Sequence, residues 1–161
     1  MYNPKERSKN KDPYEESDLE AINKGILEPI YDLIDRGGKR WRPILGMTFA
    51  ECFGRDISGS IQKALQEKKE VSENMDLLYA CGMCELIHNG SLIHDDVEDE
   101  SLMRRGDQCI HLKYGIDHAI NVGALMYYAP ITKLAEYIKD EKTQFAILQI
   151  YHEEMFNIHL G

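Results

Sequence analysis

The chain has 161 residues, enough for one domain with a hydrophobic core. Its 28 acidic residues outnumber its 19 basic residues, and the resulting net charge of −9 argues against general binding to nucleic acid or anionic membranes. No apolar run approaches the roughly 18 to 20 residues that span a bilayer, and residues 1–17 lack the apolar stretch of a signal peptide. We therefore expect a cytoplasmic protein without a transmembrane segment.

We predict an all-α fold of about six helices, preceded by a disordered polar arm over residues 1–17. Ser17 and Glu20 predict a capping box for the first helix, and Pro43 fits the first turn of the second. The predicted helices cover residues 18–35, 44–53, 74–99, 117–137 and 142–160, with a charged surface helix or loop at 57–70 and a loop at 106–115.

Residues 88–105, HNGSLIHDDVEDESLMRR, are the most informative part of the sequence. Asp95, Asp96 and Asp99 form a DDxxD pattern at the end of the long predicted helix. Helix positions i and i+4 lie about 40° apart, so the carboxylates of Asp95 and Asp99 repel each other unless a cation lies between them. Oxygen ligands without a nearby thiolate suit Mg²⁺. His88 lies on the same face of the predicted helix as Asp95 and Asp99. The pattern is therefore more typical of the wall of a binding site than of an ordinary solvated helix end.

Basic residues near this stretch, and in the segment GGKRWRP at residues 37–43, indicate a diphosphate ligand. Arg104 and Arg105 supply forked donors that match phosphate oxygens. Lys39 and Arg42 are expected at a helix N-terminus, where anions bind favourably. Taken alone, this segment could equally be a charged loop between helices. Together with the aspartates and the arginine pair, it predicts a diphosphate pocket.

A second interpretation is a metal-dependent phosphohydrolase of the HD type, which is also all-α. Its metal-site residues would be His88, His94, Asp95 and Asp117. This interpretation gives no role to Asp96 or Asp99, to the arginine pair or to the glycine-rich basic segment.

Structural roles are expected for other polar and aromatic residues. Cys81 and Cys84 form a C-x-x-C pair, but without a second pair they favour half-buried core thiols over a metal or redox site. Tyr127 and Tyr128 are expected in the core. Surface or core positions without a ligand are expected for His111, His118, His152 and His159.

Three elements, GGKRxRP, H-x6-DDxxD and RRG, resemble in order and spacing the trans-isoprenyl diphosphate synthases of the polyprenyl synthetase family. The resemblance covers residues 18–161 and implies the N-terminal part of an isoprenoid synthase α-helical domain, a helical bundle. It implies that Asp95 and Asp99, supported by Asp96, hold Mg²⁺ on an allylic diphosphate that Arg104 also contacts. These four would be the catalytic residues.

The resemblance also implies the second substrate, isopentenyl diphosphate. Its diphosphate would be held by Lys39, Arg42, His88 and Arg105. The implied prenyltransferase reaction is ionisation of the allylic substrate, attack by the isopentenyl double bond and loss of a proton. Gly90 and Ser91, just before the aspartates, are small, which by the same resemblance implies a geranylgeranyl or longer product.

The chain differs from the family in its length. Family members are considerably longer and carry a second aspartate-rich motif that is absent here. We therefore expect an N-terminal half whose catalysis needs a partner that supplies the rest. The alternative is a non-catalytic subunit that binds a prenyl diphosphate or a full-length partner. The apolar faces of a half-domain favour a homo-oligomer, a dimer or larger.

Overall fold

The first long helical segment is continuous in the computed structural model, which describes residues 16–71 and 73–160. It consists of α1 (Glu16–Ile22), a π-helical turn (Asn23–Leu27) and α2 (Glu28–Asp35). Ser17 lies inside α1, so the predicted capping box is wrong, because a capping residue needs a non-helical backbone. The predicted disordered arm lies outside the described residues, except for Glu16 and Ser17, which are helical.

Each of the other predicted helices is present. They are α3 (Trp41–Cys52), α4 (Ile57–Glu67), α5 (Met75–Glu98), α7 (Ile116–Thr132) and α9 (Glu141–Ile158), with the short helices α6 (Ile110–Tyr114) and α8 (Leu134–Tyr137) between them. Side chains of Asp56 and Asp140 cap α4 and α9 by accepting backbone N–H bonds from Gly59 and Thr143. The all-α prediction is confirmed.

A short hairpin follows α5. Its strands, β1 (Met103–Arg104) and β2 (Asp107–Gln108), are antiparallel, and the two turn residues Arg105 and Gly106 have φ angles of 54° and 83°. Positive φ at both turn residues is typical of a type I′ turn. The predicted loop at 106–115 is therefore wrong in part, since it contains β2 and α6. Strands of two residues are too short to show an alternating pattern in the sequence.

The centre of the fold is the contact between α5 and α7. A Cβ atom on Gly90 would lie 2.8 Å from the carbonyl oxygen of Gly123, and one on Gly123 would lie 3.1 Å from that of Gly90. The two glycines therefore let the backbones of the helices touch. Around this contact, α2, α6 and the two helices bury the main core, which contains Ile30, Leu33, Ile93, Ile110, Ala119, Val122 and Met126.

Two apolar cavities flank α5. The larger, about 1000 Å³, lies among the first helical segment, α5 and α7, and the smaller, about 680 Å³, lies between α5 and α9.

Tyr127 is buried as predicted, but Tyr128 is 64% exposed, so its predicted core position is wrong. Neighbouring positions on a helix point about 100° apart, and only one of this pair faces the core. Within the described residues, no helix has the length and apolar character needed to cross a membrane.

Candidate functional site

The three aspartates at the end of α5 differ in how far they are buried. The side chain of Asp95 is 53% exposed and that of Asp96 is 1% exposed. Asp99 is exposed and ends the helix, and its N–H donates to the carbonyl oxygen of Asp95 at 2.8 Å. The predicted pair Asp95 and Asp99 is thus accessible from solvent, whereas Asp96 is enclosed by the protein.

Two exposed carboxylates fit a hard cation that takes its other ligands from water and from substrate phosphates. The carboxylate of Asp99 and Oδ1 of Asp95 accept no hydrogen bond from the described part of the chain. Among those same residues, no group of three or more histidine, cysteine, aspartate or glutamate side chains is arranged to enclose a metal. The donors therefore suit a cation that is bound together with a substrate.

Arg104 is bonded to two of these aspartates. Its Nε and Nη2 donate to Oδ1 of Asp96 at 2.8 and 2.6 Å, and Nη2 also donates to Oδ2 of Asp95 at 2.8 Å. The hydrogen bonds that Arg104 donates to Asp96 raise the pKa of Arg104 above its usual value, despite partial burial. The predicted phosphate-binding arginine is therefore fixed beside the predicted metal ligands.

The other oxygen of Asp96, Oδ2, has no hydrogen-bond partner among the described residues. Cys109 is completely buried nearby, and burial together with the charge of Asp96 raises the pKa of its thiol to about 11. Cys109 is therefore a neutral core thiol.

Of the C-x-x-C pair, Cys81 is half-buried as predicted, but Cys84 is exposed.

The glycine-rich segment forms a loop before α3, which we call the basic loop (residues 37–40). Gly37, Gly38 and Arg40 all have positive φ, of 81°, 139° and 49°. The left-handed backbone at Arg40 is unusual for a residue with a side chain. It is accompanied by two donations from Arg40, Nη1 to Oε1 of Glu85 at 2.6 Å and Nη2 to the carbonyl oxygen of Ile34 at 2.5 Å.

Gly38 and Arg105 bring the basic loop and the hairpin together. A Cβ on Gly38 would lie 3.2 Å from Cζ of Arg105, so the guanidinium packs directly on the glycine backbone. Nη1 of Arg105 also donates to the carbonyl oxygen of Leu33 at 3.2 Å. Burial, followed by the positive charge of Arg40, lowers the pKa of Arg105. The two motifs that were separate in the sequence are one structural unit.

His88 and Arg42 lie on the wall of the smaller cavity, together with Ser91. Burial lowers the pKa of His88, and the positive charges of Arg42 and Arg105 lower it further. We call Lys39, Arg42, His88 and Arg105 the cation cluster. Lys39, on the basic loop, is exposed. Arg42 puts a positive group on the wall of this apolar cavity, which suits an anionic head attached to an apolar chain.

Sequence reasoning missed three residues that organise this region. Glu85 binds Arg40, and Asn89 is fully buried with its Nδ2 donating to the backbone oxygen of Glu85 at 2.6 Å. Arg36 donates to two carbonyl oxygens of the hairpin. The spacing of Glu85, three residues before His88, could have indicated a shared helix face. Nothing in the sequence indicated the contacts of Arg36.

Two of the residues proposed as metal ligands for the phosphohydrolase alternative, His94 and Asp117, make other contacts in the structure. The two ring nitrogens of His94 lie 3.2 Å from the hydroxyl of Tyr127 and 3.0 Å from the carbonyl oxygen of Ile120. The side chain of Asp117 is 84% exposed and lies beside His118. His94 is thus a half-buried histidine with both ring nitrogens bonded to the protein, and the structure gives this alternative no support.

Gly90 does not face either cavity. Because Gly90 has no side chain, α5 can contact α7 at this position. Of the pair Gly90 and Ser91, Ser91 is the one that lines the smaller cavity. The sequence-based argument about product length therefore rests on Ser91 alone.

The helical arrangement is that of the isoprenoid synthases. A crystal structure of a geranylgeranyl pyrophosphate synthase matches with a TM-score of 0.64 and 23% identity, over 95% of this chain and 41% of that one. A polyprenyl synthase from Caulobacter crescentus, complexed with calcium and isoprenyl diphosphate, matches with a TM-score of 0.57 and 25% identity, over 85% of this chain and 40% of that one.

Sequence comparison identifies the family. The polyprenyl synthetase family matches residues 23–161, and the chain belongs to this family. It is 42% identical over 78 residues to a geranylgeranyl pyrophosphate synthase of Clitopilus passeckerianus, covering 47% of this chain and 22% of that protein. It is 32% identical over 142 residues to geranylgeranyl pyrophosphate synthase D of Phomopsis amygdali, covering 88% of this chain and 28% of that protein. The chain thus matches less than half the length of these relatives.

Proposed function

We propose that the chain supplies the diphosphate-binding wall of a prenyltransferase that condenses isopentenyl diphosphate with an allylic diphosphate. The observation that carries the proposal is the joining of the hairpin to the basic loop through Arg105 and Gly38. Arg105 adjoins Arg104 in the hairpin, so this contact supports two neighbouring diphosphate sites, one at the cation cluster and one at the exposed aspartates. Family membership and the relatives named above support the same reaction.

The allylic diphosphate belongs at the aspartates. Asp95 and Asp99 would hold Mg²⁺, which neutralises charge on the departing diphosphate when it is bound. Asp96 is enclosed and would act through Arg104, by fixing the guanidinium that contacts the same diphosphate. The Caulobacter crescentus protein, whose structure contains calcium and isoprenyl diphosphate, supports a divalent cation and this substrate class.

The diphosphate of isopentenyl diphosphate belongs at the cation cluster. Lys39, Arg42 and Arg105 would neutralise its charge, and His88 would donate a hydrogen bond from the cavity wall. The bond between the allylic carbon and the diphosphate oxygen breaks first, and the diphosphate leaves with both bonding electrons. The π electrons of the isopentenyl double bond then form a carbon–carbon bond to the allylic cation. The new cation loses a proton to the released diphosphate, and the electrons of that C–H bond form the double bond of the product. The apolar lining of the smaller cavity would exclude water from the cationic carbon.

The product is expected to be geranylgeranyl or longer, with Ser91 leaving room for its chain in the smaller cavity. A homo-oligomer and a cytoplasmic location are part of the proposal and rest on the sequence. Because the chain matches less than half of each relative named above, a subunit that binds a prenyl diphosphate without turnover is the second candidate.

The purified chain, incubated with Mg²⁺, isopentenyl diphosphate and labelled geranyl or farnesyl diphosphate, tests the proposal. Elongated product supports the transferase, and Mg²⁺-dependent binding without elongation supports the binding subunit. A chain carrying both Asp95→Asn and Asp99→Asn should lose the Mg²⁺-dependent binding. Glu98→Gln, an exposed acid in the same turn, is the matched control and should keep it. Absence of diphosphate binding by the unsubstituted chain would refute the proposal.

A further inference from the structure

We infer that Arg36 is a positioning residue that fixes the hairpin and thereby sets Arg104 and Arg105 for diphosphate binding. Arg36 follows α2 directly and precedes the two glycines of the basic loop. Its side chain is 7% exposed, so its charge is almost entirely withdrawn from water. The inference rests on the proposed function, since positioning matters only if the two arginines bind a diphosphate.

The guanidinium of Arg36 bonds to both strands of the hairpin. Nη1 donates to the carbonyl oxygen of Arg104 at 3.0 Å and to that of Gln108 at 2.8 Å. Nη2 lies 3.6 Å from Oδ2 of Asp107 and donates no hydrogen bond within the described residues. One side chain therefore holds the backbone on either side of the turn that presents Arg105.

The hairpin needs such an anchor. Each strand has two residues, and a two-stranded hairpin is marginally stable in water by itself. Its turn also places Arg105, a residue with a side chain, in the left-handed region at φ 54°. A strained backbone of this kind persists only where contacts with the surrounding structure hold it in place. The hydrogen bonds of Arg36 to the two strands are such contacts, and they come from outside the hairpin.

Arg36 is itself held by a network below it. Its Nε donates to Oδ1 of Asp32 at 2.8 Å, one helical turn earlier. Oδ2 of Asp32 accepts from the hydroxyl of Tyr114 at 3.0 Å and lies 2.7 Å from Nζ of Lys113. Burial opposes ionisation of Asp32, but these partners outweigh it and lower the pKa of Asp32 to about 2. The network therefore keeps its charges at neutral pH and connects α2 to α6 and the hairpin.

A lysine could not replace Arg36 at this position. Its single ammonium group cannot reach Asp32 and both hairpin carbonyl oxygens with the fixed fork that the guanidinium provides. We therefore expect Arg36→Lys to resemble Arg36→Gln rather than the unsubstituted chain.

The experiment compares Arg36→Gln and Arg36→Lys with Arg55→Gln. Arg55 is a matched control because it also bridges separate segments, through Asn74 and Asp76, but lies 44% exposed and outside the hairpin network. Amide hydrogen exchange of residues 103–108 reports hairpin order. Affinity for inorganic pyrophosphate and for isopentenyl diphosphate, each with Mg²⁺, reports the site.

Both Arg36 variants should exchange amides 103–108 faster and bind each ligand more weakly, by about tenfold, as expected for lost hydrogen bonds to a charged group. Arg55→Gln should change neither quantity. In Arg36→Ala, guanidinium ion at millimolar concentration should restore affinity, and the same concentration of sodium chloride should not. This rescue would show that the guanidinium group itself, and not a general loss of the fold in the variant, controls the affinity.

Unchanged exchange of residues 103–108 in both Arg36 variants would overturn the inference. It would also be overturned if the hairpin loosened while ligand affinity stayed the same. If the unsubstituted chain bound no diphosphate, the proposed function would fail and the positioning role with it. These results are distinguishable, because exchange is measured without ligand.

Discussion

Replacing Asp96 with asparagine should destabilise the chain more than the same change at Asp95, although both residues bond to Arg104. Asp96 is 1% exposed and accepts two hydrogen bonds from the guanidinium, whereas Asp95 is 53% exposed and accepts one. Hydrogen bonds to a charged group contribute about 1.5–3 kcal/mol, and exposed ion pairs contribute about 1 kcal/mol or less.

The asparagine at position 96 keeps one acceptor oxygen but adds a buried amide group. Oδ2 of Asp96 accepts no hydrogen bond in the described residues, and its neighbour is the neutral thiol of Cys109, so we expect an amide nitrogen placed there to find at best a weak sulfur acceptor. An unpaired buried donor costs about 1–3 kcal/mol. We therefore expect Asp96→Asn to lower the free energy of unfolding by about 2–3 kcal/mol and Asp95→Asn by less than about 1 kcal/mol.

Urea unfolding followed by circular dichroism at 222 nm measures both values, and equal slopes would show that the unfolded states are comparable. Affinity for Mg²⁺ and pyrophosphate should show the opposite order, with the larger loss in Asp95→Asn. Equal destabilisation by the two substitutions would refute the reasoning, because Asp96 differs from Asp95 both in burial and in its number of hydrogen bonds to Arg104.

Three further outcomes are expected. Gly90→Ala should be about 1–3 kcal/mol less stable than Gly82→Ala in the same urea assay, since both gain helix propensity but only the Cβ at position 90 meets backbone. Equal stabilities would contradict the close packing of α5 on α7. Glu85→Gln should speed tryptic cleavage after Arg40, because the left-handed backbone there loses its ion pair; an unchanged rate would show that the pair is dispensable. Burial lowers the pKa of His88 in the folded chain below 6.5, the usual value that it regains on unfolding. As the pH drops below about 6.5, the unfolded chain therefore binds a proton at His88 more readily than the folded chain does, and the free energy of unfolding falls. His88→Gln should show a smaller fall between pH 7 and 5, and identical slopes would argue against the lowered pKa.

Much of the fold was predictable because helical periodicity is local. The long helix predicted at 74–99 is observed as α5, Met75–Glu98, with its aspartates at the end where the pattern placed them. The hairpin was not predictable, since two-residue strands have no period and its turn depends on positive φ at Arg105. The small size of Gly90 is evident from the sequence, but only the structure shows that it contacts α7.

The members of the candidate site were predictable from motif spacing, but their contacts were not. Lys39 and Arg42 were expected beside an anion, and the structure places Arg42 on a cavity wall with His88. That Arg104 is already bonded to Asp95 and Asp96 depends on the path of the chain between Asp99 and the hairpin. No local pattern determines that path.

The contact of the hairpin with the basic loop has a consequence for the order of folding. Arg105 donates to Leu33, a residue 72 positions earlier, and Arg36 donates to Gln108 over the same separation. Contacts of such separation form late, because the loop-closure entropy must be overcome before they contribute. Helices α3, α4 and α5 can therefore form before the hairpin docks. A nascent chain would therefore complete the proposed diphosphate-binding surface only after residue 108 has been synthesised.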